Sequence, residues 1–114
     1  MCYNSQISLK VVFYYYTGYT ALLSAANNGH LSIVEYLYEV DKSLVEAKLN
    51  NGDNAVNLAA YGGHLEVVKF LVETWGANFD VKNNDGKNAL VLASSRSNFD
   101  VIEYLLNEHK KQSR

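Results

Sequence analysis

His30 and His64 stand 34 residues apart in a chain of 114 residues and are the first candidates for metal ligation. A structural or catalytic metal needs three or four converging donors, typically paired cysteines or a His-Glu-x-x-His spacing. No cysteine or carboxylate cluster accompanies either histidine, so both read as loop histidines that bond to backbone. Phosphate chemistry fares no better. Gly62-Gly63 sits where a helix should end, and Gly86-Lys87-Asn88 lacks the upstream glycine and the Ser/Thr of a P-loop. Serines, histidines and acids all occur, but no elbow motif presents a nucleophile. Cys2 is the sole cysteine, which excludes an internal disulfide and fits a reducing, cytoplasmic location. The expectation is therefore no catalytic residue, no metal and no cofactor, in a protein that is not an enzyme.

Composition narrows the alternatives. Ten basic and twelve acidic residues give a net charge of −2 with no long run of either sign. Such a balance offers no broad attraction to nucleic acid or to an anionic membrane. The one dense basic patch, His109-Lys110-Lys111 with Arg114, reads as a solvated end. The apolar window from Ile7 to Ala26 is broken by Lys10 and Gly18 and carries hydroxyls at Ser8, Thr17, Thr20 and Ser24, so it is not a spanning helix. It also lacks the basic start of a signal peptide. Average usage predicts about six prolines. The chain has none, and has thirteen asparagines and nine tyrosines.

A period of 34 residues organises everything after residue 17. Gly18, Gly52 and Gly86 keep this step, as do Ala21, Ala55 and Ala89, and then Ala25, Ala59 and Ala93. Gly29-His30-Leu31 recurs as Gly63-His64-Leu65 and degrades to Ser97-Asn98-Phe99. Residues 18–51 and 52–85 agree at twelve of 34 positions, which chance does not give. Periods of this length mark stacked repeats.

Within each unit the elements are legible. Thr20, Asn54 and Asn88 stand two residues after the glycine, where Thr or Asn caps a helix, and alanine follows each time. Short helices are predicted over 20–27, 54–61 and 88–95. Gly29 and Gly63 suit the left-handed residue that ends such a helix. Second helices follow at about 31–39, 65–74 and 99–109, with apolar residues at i, i+1 and i+4. Asn51-Gly52 and Asp85-Gly86 are turn signals. Trp75 opens a loop and is expected to pack against Phe79. Helices this short cannot stand alone in water, so the units must stack.

This pattern resembles the ankyrin repeat over residues 18 to about 109. The run from Gly52 through Asn54-Ala55-Val56-Asn57 to Gly63-His64-Leu65-Glu66-Val67-Val68, closed by Gly76-Ala77-Asn78-Phe79-Asp80, matches the family pattern of turn glycine, Thr-Pro-Leu-His, Gly-His and Gly-Ala-Asp. The resemblance implies an all-α fold, an α-solenoid of stacked helix-turn-helix repeats at 18–51, 52–85 and 86–109, with a polar tail at 110–114. Alanine replaces the family proline three times, and Leu23, Asn57 and Val91 replace its histidine. Since that histidine ties neighbouring turns in the family, the array is expected to be less rigid than a consensus one. The extra residue beyond the usual period of 33 falls near Asp41 and Trp75.

The ends differ. Ser94 to Asn98 and the tail offer polar capping. Residues 1–17 do not: Ile7 to Tyr16 is β-branched and aromatic, yet Gly18 follows Val12 by six positions where Gly52 follows Val34 by eighteen. Two readings remain, an improvised cap over the first repeat or a fragment of a longer array.

The resemblance implies protein binding on a concave face of turn tips and inner helices. Its variable positions fall on Tyr16, Thr17, Tyr19, Asn27 and Asn28 in the first repeat. The second supplies Asn50, Asn51, Asp53 and Tyr61, and the third Asn84, Asp85, Lys87, Ser95 and Arg96. Tyr, Asn, Ser and Arg suit such a surface, because they give contact area and hydrogen bonds at modest entropic cost. The expected function is a monomeric scaffold or adaptor for another protein. The alternative is a structural spacer of a longer array with no partner of its own.

Overall fold

The computed structural model describes the backbone of residues 18–112, with side chains from Ala21 onward. Among the described residues six helices run in order: α1 Gly18–Asn28, α2 Leu31–Val40, α3 Ala55–Gly62, α4 Leu65–Lys69, α5 Ala89–Ser95 and α6 Phe99–Gln112. A 3-10 turn, Lys42–Glu46, follows α2, and a π turn, Phe70–Thr74, continues α4. Among the described residues there is no strand, only one isolated antiparallel bridge between Lys48 and Asn54 at the base of a turn. The expected all-α solenoid is what forms.

Local chemistry sets the helix ends. Asn54 and Asn88 are both extended, and each side-chain oxygen accepts from a backbone amide three residues on, Asn57 N at 2.9 Å and Val91 N at 3.0 Å. Thr20 does not repeat this role. Gly18 and Tyr19 before it are already helical, so Thr20 lies inside α1 rather than at a cap. At the other end Gly29 and Gly63 take left-handed φ values of +74° and +76°. Ser97 holds the same conformation at +56°, although it carries a Cβ.

Inner helices α1, α3 and α5 pack side by side, and α2, α4 and α6 form the second layer. Ala25, Ala26, Ala59, Ala60 and Ala93 are buried between the inner helices, and their small side chains permit the close approach. Leu22, Val34, Val56, Val67, Val68, Leu71, Val101 and Leu105 are completely enclosed. Truncating one of the leucines to alanine typically costs about 2–5 kcal/mol, so this continuous strip is what stabilises helices of seven or eight residues.

The thirty-fourth residue is absorbed differently in each repeat. After α2 it becomes Asp41, extended, whose carboxylate accepts from Ser43 N at 2.9 Å and so starts the 3-10 turn. After α4 it widens the helix. Trp75 N donates to Phe70 O at 3.1 Å, a ring one residue larger than the α-helical one, and Ala77 N closes onto Leu71 O at 2.8 Å across left-handed Gly76. Trp75 is buried, but its aromatic neighbour is Tyr38 of the first repeat, edge-on at 5.4 Å, rather than Phe79. A buried indole N–H needs an acceptor, and the Lys42 carbonyl supplies one at 2.7 Å. Phe79 instead meets the His109 ring, with centroids 5.0 Å apart.

Candidate protein-binding face

Two turn tips and the ends of the inner helices line one side of the solenoid. The first tip centres on Asp53, whose carboxylate is 7% exposed and accepts three side-chain amides. Asn51 reaches Oδ2 at 3.1 Å, while Asn57 and Asn83 reach Oδ1 at 3.2 and 3.0 Å. Asn51 Oδ1 in turn accepts from Asp53 N at 3.0 Å, an Asx turn across Gly52. The second tip copies the device: Asn83 Oδ1 accepts from Asp85 N and Lys87 N. The tips are then joined, Asn84 N donating to Asn51 O at 2.7 Å and its side-chain amide to Asn50 O at 3.3 Å.

Asn57 replaces the family histidine and does comparable work. It is fully buried and donates to Val81 O of the following loop at 3.2 Å as well as to Asp53. The expected loosening of the array does not follow in this repeat, because an amide supplies the inter-loop tie. Its Oδ1 has no partner among the described residues. Asn54 adds a parallel tie, donating to Asn78 O at 2.9 Å.

At the far ends of the inner helices, His64 Nε2 lies 2.9 Å from Asn27 O. The acceptor is a carbonyl, so Nε2 carries the proton in this bond. The degraded triplet of the third repeat keeps the same arrangement: Asn98 donates to Ala60 O at 2.9 Å and Tyr61 O at 3.0 Å. His64 is thus a backbone-bonding histidine. Among the described residues no group of three or more His, Cys, Asp or Glu could hold a metal, and no helix is long and apolar enough to cross a membrane.

The fourteen positions assigned to a partner surface separate into groups. Tyr16 and Thr17 lie outside the described residues, and the Tyr19 side chain does too. Asn50, Asn51, Asn84, Asp85 and Lys87 are exposed on the joined tips. Asn27 and Asn28 are exposed at the end of α1, where the Asn28 amide caps its own helix on Ser24 O at 2.9 Å. Tyr61, 40% exposed, lies beneath the Arg96 guanidinium at 4.7 Å, and Ser95 stands beside them. Asp53 differs from the rest: its carboxylate points into the tip and holds it together. Asn57, Asn83 and Asn98 carry the geometry of the face and were not among the assigned positions. Asn83 had a readable signal, since Asn-Asn-Asp-Gly has the spacing of an Asx turn.

With this geometry in place, comparison with known proteins is direct. Residues 22–114 match the family model for ankyrin repeats, three copies, and the chain belongs to that family. Ankyrin repeats generally mediate protein–protein interaction and are typically non-enzymatic. No curated protein sequence matches significantly. Among solved structures, the chain is similar to one in the complex of the Bd0816 predatory endopeptidase from Bdellovibrio bacteriovorus with immunity protein Bd3460. Identity is 37% and the TM-score 0.71, over 76% of this chain and 45% of that one, so it spans less than half of that neighbour. A second similar chain comes from the complex of the yeast ribosomal protein Rps3 with its chaperone Yar1. There identity is 26% and the TM-score 0.73, over 89% of this chain and 82% of that one.

Proposed function

We propose that this protein is a non-catalytic adaptor that binds another protein through the joined tips and the far ends of α3 and α5, where Tyr61 and Arg96 stand. The observation that carries the reading is the hydrogen-bond network of the tips. Asp53 gathers three amides, and Asn84 bridges back to Asn50 and Asn51, so exposed Asn50, Asn84, Asp85 and Lys87 are held in place before any partner arrives. Pre-ordering of this kind reduces the entropy lost on association. Tyr61 under Arg96 adds a flat amphipathic anchor of the type that dominates protein interfaces. Both solved neighbours come from complexes of two proteins, which supports the same class of function. We place the protein in the cytoplasm and treat it as a monomer when free.

The test is capture on immobilised wild-type chain against the double variant Tyr61→Ala, Arg96→Ala. Loss of a co-purifying protein with an unchanged unfolding midpoint supports the site. Equal recovery from both removes it, and no recovery from either leaves the spacer as the better reading.

A further inference from the structure

Each repeat presents one face to its predecessor, and equivalent positions identify it. Val67 and Val101 are enclosed at 1% and 0% exposure, whereas their counterpart Ile33 is 44% exposed. Phe70 lies edge-on to Tyr38 of the first repeat at 5.4 Å, and Tyr104 donates to Glu73 of the second at 2.7 Å. The residue at the same place in the first repeat, Tyr36, is 54% exposed. His64 and Asn98 reach the end of the preceding inner helix, while the His30 side chain makes no hydrogen bond to a described residue. In the second and third repeats two of these positions contact the preceding repeat and the other is enclosed, and all three are open in the first repeat among the described residues. They also keep the residue types of an internal seat, where a solenoid end facing water would carry polar ones.

We propose that this seat is occupied in cis by the chain's own residues 7–16, Ile-Ser-Leu-Lys-Val-Val-Phe-Tyr-Tyr-Tyr. Reach is sufficient. The segment joins α1 through Thr17 alone, and α1 packs against α2, which carries Ile33 and Tyr36. Ten residues span at most about 35 Å, more than the 8–10 Å that separates packed helix axes. Chemistry agrees as well. Ile7, Leu9, Val11, Val12 and Phe13 match an apolar seat, and the one charge, Lys10, is opposite to the only charges on α2, Glu35 and Glu39. Tethering decides between occupants, because a short linker holds its segment at millimolar effective concentration, far above that of a second copy in dilute solution. The seat lies on an outer helix, so the inference does not depend on the concave-face reading.

Cys2 is the only thiol, so a nitroxide can be attached to the full chain without substitution. The expected result is broadening of the amide signals of residues 30–40 that persists on dilution. It should be absent when nitroxide-labelled chain is mixed with isotopically labelled, nitroxide-free chain. Broadening that passes to the nitroxide-free chain identifies a second copy as occupant and overturns the proposal, as does broadening that spares residues 30–40. Urea unfolding of Val12→Asn, Ile33→Asn and the double variant gives an independent readout. The double variant should unfold at the midpoint of the weaker single variant, and additive shifts overturn the proposal. Val12→Asn with Val91→Asn, at the opposite end, should be additive.

Discussion

Asn57 of α3 donates its side-chain amide to Oδ1 of Asp53 in the preceding turn at 3.2 Å, joining two residues that are 0% and 7% exposed. Every donor on the carboxylate is an asparagine, so the tip is held by neutral amides around a single acceptor. Asp53→Ala removes the acceptor shared by exposed Asn51, half-buried Asn83 and buried Asn57, and at about 1–3 kcal/mol for an unpaired buried donor, with less for the other two, the expected loss is about 3 kcal/mol. Asn57→Leu should cost less, about 1 kcal/mol, because it removes the unpartnered Oδ1 together with the two donated bonds. Position 23 of the first repeat already carries leucine. Urea unfolding of both variants checks the ranking, and a larger loss for Asn57→Leu would contradict the hub at Asp53.

Asn98 and His64 occupy equivalent positions and make equivalent bonds to the carbonyls that end the preceding inner helix. Asn98→Ala leaves Ala60 O and Tyr61 O without this donor, for an expected loss of about 1–2 kcal/mol. Asn98→His should recover at least half of it. Thermal unfolding of the pair measures the recovery, and no difference between Ala and His would show that the two sites are not interchangeable.

What the sequence discloses and what it hides divide along contact distance. The caps Asn54 and Asn88, the left-handed glycines and the helix spans depend on residues within four positions, and each was readable from type and spacing. Thr20 failed as a cap because Gly18 and Tyr19 are already helical, which places it within α1. The polar ties join Asn57 to Val81, Trp75 to Lys42 and Asn98 to Ala60, at separations of 24, 33 and 38 residues. Such pairs exist only once repeats stack. Asp53 looked like a surface acid for the same reason, since its burial comes from Asn57 and from Asn83 in the next tip.

Gly29 and Gly76 share a φ near +75°, yet their surroundings differ. A Cβ at Gly29 would meet His64 Nδ1 at 2.5 Å, and one at Gly76 would meet nothing within 4 Å. Gly76→Ala should therefore cost only the left-handed backbone term, about 1–2 kcal/mol. Gly29→Ala should cost clearly more, because it also displaces the ring that ties α3 to α1. Equal losses in urea unfolding would remove the steric part.

Ser97 holds at φ +56° a place that glycine fills in the other two repeats. It is exposed, so little packing is lost on removing its hydroxymethyl group. Ser97→Gly relieves the left-handed strain, partly offset by the greater freedom of glycine in the unfolded chain, for an expected gain of about 0.5–1 kcal/mol. A raised melting temperature checks it, and destabilisation would contradict the assigned backbone conformation.

Tyr104 bonds the third repeat to the second by donating to Glu73 Oε2 at 2.7 Å. Burial first, then this hydrogen bond, then the charges of Glu108 and Glu73, push its hydroxyl well above the ordinary phenol range. The folded chain therefore keeps this proton at pH values where the unfolded chain has lost it. Where the unfolded state binds fewer protons, stability falls as pH rises. The contribution is complete below a pH of about 10, the unfolded value, and declines above it toward the raised folded value. Partial solvent access around the ring screens the effect, so the decline should be gradual. Urea midpoints measured from neutral to strongly alkaline pH should fall more steeply for the wild type than for Tyr104→Phe, which has no proton to lose there. Parallel curves would mean that the Tyr104 hydroxyl is not held by Glu73 in solution.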